Sequence, residues 1–163
     1  MFPDFVEFIA SLNAHRVRYL IIGGYAVAFH ARPRATKDVD VLIDRSRANA
    51  SRALKAIVAF LGAPAPEITL EKLTSKRTVL VLGRSPVRID VLTSLEGLGF
   101  REAWSRRARG TFGREAAPYI GLEDLVRVKE IAGRTMDLED VRVLRRVMSR
   151  RRKKSSALAR RRG

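Results

Sequence analysis

The chain has 163 residues, 46% of them apolar, which is enough for one domain with a sizeable core. It has no cysteine, so a disulfide framework and thiolate metal sites are excluded. The net charge is +16, of which Ser149–Gly163 carries eight Lys or Arg and no acid, so residues 1–148 keep +8 by themselves. A basic surplus in both parts favours a phosphate-bearing partner over an acidic protein.

The opening MFPDFVEF is acidic where a secretory signal would be basic. The longest uncharged run, Tyr19 to Ala31, contains two glycines and a histidine and is too short to span a bilayer. A cytoplasmic protein without membrane contact is expected. Residues 3–14 place Phe5, Phe8, Ile9 and Leu12 on one helix face. Residues 18–22 read as a buried strand ended by Gly23-Gly24, followed by a helix from Tyr25 to His30 that Pro33 breaks. Residues 38–43 form a strand with Val39, Val41 and Ile43 on one face and Asp38, Asp40 and Leu42 on the other. Ser46 opens a helix that reaches Leu61 and stops at Gly62.

Residues 77–82 and 87–92 read as a hairpin through Gly83-Arg-Ser-Pro86. A short helix within 97–109 and a strand near 111–116 follow, then a helix over 122–132 stopped by Gly133. A last helix opens at Asp137 and runs to about Met148. The fold class is α+β: a small mixed sheet with helices packed on it over 1–117, a helical segment over 118–148, and a like-charged disordered tail over 149–163. That tail is either a solubilising end or a contact for polyanions, RNA first among them.

The acidic strand carries the chemistry. Asp38 and Asp40 sit at i and i+2, about 6.6 Å apart, where two carboxylates repel by about 2.5 kcal/mol at an effective dielectric near 20. A bound Mg²⁺ would remove that conflict, because this hard cation takes carboxylate oxygens together with substrate phosphates. Pairing with Arg34 or Lys37 at an exposed sheet edge is the plain alternative. The second strand, VRIDVL, places Asp90 in another apolar run. If the two strands are neighbours, three carboxylates converge in the manner of a two-metal site. Gly23-Gly24, between strand and helix, would let backbone N–H groups approach a phosphate.

These residues resemble a known superfamily: a strand, Gly-Gly, a short spacer, an acidic-apolar-acidic strand and a later third carboxylate. The pattern is that of DNA polymerase β-like nucleotidyltransferases. The segment GGYAVAFHARPRATKDVDVLI is most similar to the minimal bacterial nucleotidyltransferases of the abortive-infection toxin type, with a His after the glycines and an Arg-x-Thr-x-Asp-x-Asp segment. The stretch IGLEDLVRVKEIAGRTMDLEDVRVL resembles their closing helices, with Lys129, Arg134, Asp137 and Asp140 in matching places. The resemblance covers about residues 18–147.

It implies the nucleotidyltransferase fold and transfer of a nucleoside monophosphate from an NTP, such as ATP, with release of pyrophosphate. Two Mg²⁺ ions would be held by Asp38, Asp40 and Asp90, with Asp90 also helping to activate the acceptor. Gly23 and Gly24 would grip the triphosphate and Lys129 would reach the phosphates. Arg34 and Thr36 are further candidates for the nucleotide site, Arg34 open between phosphate contact and plain solvation, and Thr36 between orienting the acidic strand through its hydroxyl and favouring β structure. The acceptor is expected to be RNA or tRNA in a toxin-like system with a cognate antitoxin. A partner protein or a small molecule as acceptor, and a non-catalytic module that only holds nucleotide or nucleic acid, are the alternatives. Further candidates stay open between site and scaffold: His30, Arg32, Arg134 at a helix end, Asp137 and Asp140 at a helix start, and Trp104 as a packing or stacking residue.

Overall fold

Pro3 at the first helical position and Phe5, Phe8, Ile9 and Leu12 along one stripe make α1 over Pro3–Ala14, and all four apolar side chains are buried. The computed structural model describes residues 2–33, 35–84 and 86–160. Arg34, expected near the nucleotide, lies outside the described residues.

The chain continues as β1 (Tyr19–Ile22), α2 (Gly23–His30), β2 (Asp38–Ile43) and α3 (Arg47–Leu61). Then come α4 (Leu70–Thr74), β3 (Val79–Arg84), β4 (Val87–Leu92) and α5 (Phe100–Ser105). The hairpin β5 (Ala108–Phe112) and β6 (Glu115–Tyr119) precedes α6 (Leu122–Ala132) and α7 (Thr135–Arg160). The six strands form one mixed sheet in the order β3-β4-β2-β1-β6-β5. The pair that matters most is parallel: β2 beside β4, with Asp40 opposite Asp90 and Asp38 opposite Arg88. On the other side β1 runs antiparallel to β2 and sets Ile22 opposite Asp40.

Alternation along these strands separates two faces. Val39, Val41 and Ile43 of β2 and Ile89 and Val91 of β4 turn to one side, and each is at most 2% exposed. Asp38, Asp40, Arg88 and Asp90 turn to the other. The α+β class and the order of sheet and closing helices match the expectation from sequence.

Several elements differ from the sequence reading. The strand expected near 111–116 is a hairpin, because Gly113 takes a left-handed turn (φ 60°) that reverses the chain. A short helix, α4, had no apolar periodicity to reveal it; the Thr69 hydroxyl starts it by accepting the Lys72 N–H at 3.3 Å. Of the tail expected to be disordered over 149–163, residues 149–160 continue α7, and residues 161–163 lie outside the described residues. Arg, Lys, Ala and Leu all favour helix, and extending a nucleated helix needs no new nucleus. Among the described residues no helix is long and apolar enough to cross a membrane.

Asn49 ties α3 to the ends of the central strands. Its side chain is fully buried; Oδ1 accepts the Arg18 N–H at 2.7 Å, while Nδ2 donates to Arg18 O at 3.0 Å and Asp44 O at 2.7 Å. Each buried group left unpaired costs about 1–3 kcal/mol. Asn49→Ala is therefore expected to lower the unfolding free energy by about 3 kcal/mol in urea denaturation, with an unchanged slope.

Candidate active site

Parallel pairing sets the geometry of the acids. Residues opposite one another in neighbouring strands share a face about 4.8 Å apart, so Asp40 and Asp90 stand side by side and Asp38 stands beside Arg88. The structure meets the condition set in the sequence: β2 and β4 are neighbours, and Asp38, Asp40 and Asp90 share one face. Asp40 feels the crowding most. Burial pushes its carboxyl up to about 6, Asp90 and Asp38 add to the rise, and Lys129 and Arg134 oppose it.

Arg88 was not singled out in the sequence, although it precedes Asp90 by two residues on the same strand face. It forks onto Asp90, with Nε donating to Oδ1 at 2.7 Å and Nη2 to Oδ2 at 2.6 Å. This hydrogen bonding raises the Arg88 guanidinium above its ordinary value. Both Asp90 oxygens are therefore engaged from one side. Among the described residues no group of three or more His, Cys, Asp or Glu is placed so that it could hold a metal ion. The donors are hard oxygens of high anionic density, which fits Mg²⁺ in type and charge. A cation shared by Asp40 and Asp90 would compete with the Arg88 fork.

Gly23 and Gly24 open α2 directly against this patch. Gly23 has φ 63°, and a Cβ there would overlap the Asp40 carboxylate. A Cβ on Gly24 would come within 2.7 Å of Thr36 Oγ1. The glycines thus let the start of α2 pass against β2 without a side chain between backbone and carboxylate. Thr36 Oγ1 also donates to Asp38 O at 3.0 Å, which fixes the entry to the acidic strand.

Lys129 differs from its expected reach toward phosphate. Its ammonium is buried and bonded to Asp137 Oδ1 at 2.8 Å and Asp140 Oδ2 at 2.7 Å, joining α6 to α7. Arg134, mostly exposed, donates through Nε to Asp137 Oδ2 at 2.6 Å. Burial works to raise the Asp137 carboxyl, but the hydrogen bonds from Arg134 and Lys129 carry it below the usual carboxylate range. Lys129 and Arg134 act on Asp40 through their fields. Asp137 and Asp140 are the counter-ions that hold that charge in place, a role that helix-start chemistry alone does not show.

The remaining candidates have structural contacts. His30 is buried, with Nε2 2.7 Å from the Ile120 carbonyl, and burial lowers its pKa. Trp104 stacks on Phe100 and carries Arg107 4.1 Å above its ring, which makes it a packing residue. Arg32 lines a cleft with Met136, Glu139 and Asp140 of α7. On the open side, β3 sets Val81 opposite Asp90, and Val79 and Val81 are each 52% exposed. The acids therefore face an uncovered sheet edge.

Two measurements check these electrostatics. Because the Asp40 carboxyl rises from 3.8 to about 6 on folding, its ionisation penalises the folded state. That penalty is absent below about pH 3.8, grows through the interval and is complete above about pH 6. In metal-free buffer Asp40→Asn is expected to raise Tm at pH 7.5, with the gain vanishing near pH 4 in thermal scans. Lys129→Ala leaves two buried carboxylates without their ammonium and is expected to cost about 3–5 kcal/mol in urea unfolding.

No protein-family model and no curated protein matches the sequence. Two solved structures of the antibiotic-resistance factor ANT(2'')-Ia, a nucleotidyltransferase, are similar in fold. The solution structure has a TM-score of 0.55 at 14% identity, covering 96% of this chain and 94% of that one. The crystal structure, in complex with adenylyl-2''-tobramycin, has the same score and identity and covers 93% of this chain and 95% of that one. The likeness is one of fold: over most of its length this chain has an α+β architecture similar to that of ANT(2'')-Ia.

Proposed function

We propose that the protein is a Mg²⁺-dependent nucleotidyltransferase that moves a nucleoside monophosphate from an NTP to an RNA acceptor. The observation that carries this reading is the in-register pair Asp40–Asp90 with Asp38 beside it, set against the glycine-opened start of α2. Asp38 and Asp40 would hold the two ions and Asp90 would join the one nearer the acceptor. When bound, Mg²⁺ supplies charge neutralisation for the triphosphate and for the attacking and leaving oxygens.

The chain's own residues do the rest. The backbone at Gly23 and Gly24 provides N–H groups and the positive end of α2 for the phosphates. Asp90 orients the acceptor hydroxyl and draws its proton as that oxygen bonds the α-phosphorus and pyrophosphate leaves. Arg88, displaced from Asp90, would stay beside the reacting phosphates as a fixed cation. Lys129 and Arg134 offset the negative charge of the patch. No nucleophilic side chain is needed, since positioning and electrostatics dominate this chemistry.

The RNA acceptor is supported by the basic surplus of residues 1–148 and by the open sheet edge beside Asp90. A toxin-like role with a cognate antitoxin belongs to the same reading through the motif resemblance. A second reading, a small-molecule acceptor, is favoured by the adenylyl-2''-tobramycin seen with the similar fold. Against it, a pocket for polycationic drugs should be acidic, and this chain carries +16.

The test is incubation of the purified protein with Mg²⁺ and each α-³²P NTP, offering RNA and tobramycin separately. Label is expected on RNA and should fall by about 100-fold or more in Asp38→Asn. Label confined to tobramycin would move the assignment to the small-molecule acceptor. Label on neither would overturn nucleotidyl transfer to both.

A further inference from the structure

Helix α7 divides sharply by charge. Its acids, Asp137, Glu139 and Asp140, lie in the first two turns, and no acid follows Asp140. Val141 and Leu144 are buried and define the side that packs on the domain. Arg142, Arg146, Arg150, Lys153 and Lys154 lie on the other side. At 100° per residue they occupy about a third of the circumference, and from Arg142 to Lys154 they extend about 18 Å.

The cations of α7 are not equivalent. Arg145 pairs with Glu130 and Arg152 with Glu123. The five in the stripe are exposed, and among the described residues none of them has a hydrogen bond or ion pair. The helix dipole explains basic residues in the last turn, but its effect fades within a turn and does not reach Arg142 or Arg146. A solubilising role would not require alignment on one side, where like charges three or four residues apart repel.

We infer that this stripe is a docking track for the phosphate backbone of a single-stranded RNA. The inference rests on the RNA-acceptor reading above and extends it to a second surface, on the helix whose first turns hold Lys129 beside the acidic patch. The chemistry separates this partner from others. A membrane-surface helix needs a free apolar face running along its cations; beside the stripe Val141 and Leu144 are buried against the domain, and the exposed Met136 and Leu138 lie among the acids of the first turns. A protein partner would call for an apolar or aromatic anchor at the centre of the charges; Val143, within the arc, is half-buried, and the exposed Met136 lies before the stripe begins. A row of unpaired cations with about 6 Å of rise between Arg142, Arg146 and Arg150 suits a polyanion read through its charge, without base specificity.

The test uses the full chain and a fluorescein-labelled RNA of about 20 nucleotides, without NTP, in fluorescence anisotropy across a NaCl series. The track variant combines Arg142→Gln, Arg146→Gln, Arg150→Gln, Lys153→Gln and Lys154→Gln. A charge-matched control combines Arg47→Gln, Lys55→Gln, Lys76→Gln, Arg101→Gln and Arg109→Gln. The track variant is expected to lose about 100-fold in affinity at low salt. Its log–log salt slope should become shallower by about 3.5, at about 0.7 per lost contact.

The control should change affinity by less than about threefold. Circular dichroism should show both variants folded; an unfolded track variant is replaced by the single changes Arg146→Gln and Arg150→Gln, each reducing the slope by about 0.7. Equal losses in track and control variants, or an unchanged slope, would overturn the track. So would loss of binding to phosphatidylserine vesicles with RNA binding intact. Asp38→Asn separates this inference from the catalytic one: it should bind RNA like the wild type while failing to transfer label. If it transfers label normally, the catalytic reading fails and the track stands.

Discussion

Two carboxylates forced side by side by a parallel strand pair are the constraint around which this molecule is organised. The β2–β4 register places Asp40 next to Asp90, and a slip of one residue would turn either acid into the apolar core. Because Val39, Val41, Ile89 and Val91 fill that core, hydrophobic burial holds the like charges together. The repulsion appears in the raised carboxyl of Asp40. Around it the chain has placed a forked guanidinium, a buried ammonium and the start of a helix.

The C-terminal helices belong to the same electrostatic unit. Lys129 on α6 is fixed by Asp137 and Asp140 on α7, and the field of this cluster reaches Asp40. A buried ion group of this kind contributes little net stability, because desolvating its members offsets most of their attraction. It does set where the positive charge stays. Docking of α7 on α6 and the charge state of the acidic patch are thereby coupled, so the helical segment is part of the site's chemistry as well as its scaffold.

Much of this was legible in the sequence. The Pro3 start and 3.6-residue stripe of α1, the apolar-acidic alternation of β2 and β4, and the glycine stops at Gly62 and Gly133 all follow local rules. The convergence of Asp90 with Asp38 and Asp40 was readable only as a condition, since strand adjacency is a tertiary fact. The partner of Lys129 was hidden for the same reason: its reach depends on how α6 meets α7. Arg88 could have been found from its i−2 spacing to Asp90 on the same strand face, but that pair reads as an ordinary ion pair until β2 sets Asp38 and Asp40 beside it. The β5–β6 reversal is hidden in the sequence because the turn at Gly113-Arg114 falls inside the stretch 111–116 that reads as one strand, and the alternation on either side is too short to show two.

The space at Gly23 has one more implication. Any side chain at that position would meet the Asp40 carboxylate, so the strand and the helix start fit each other to within one carbon atom. Glutamate at position 40, with the same charge and one more methylene, would not be a conservative exchange. Its longer arm would either press on the α2 backbone or swing its oxygens away from residue 90. Chain length at position 40, as much as charge, is what the glycine fixes.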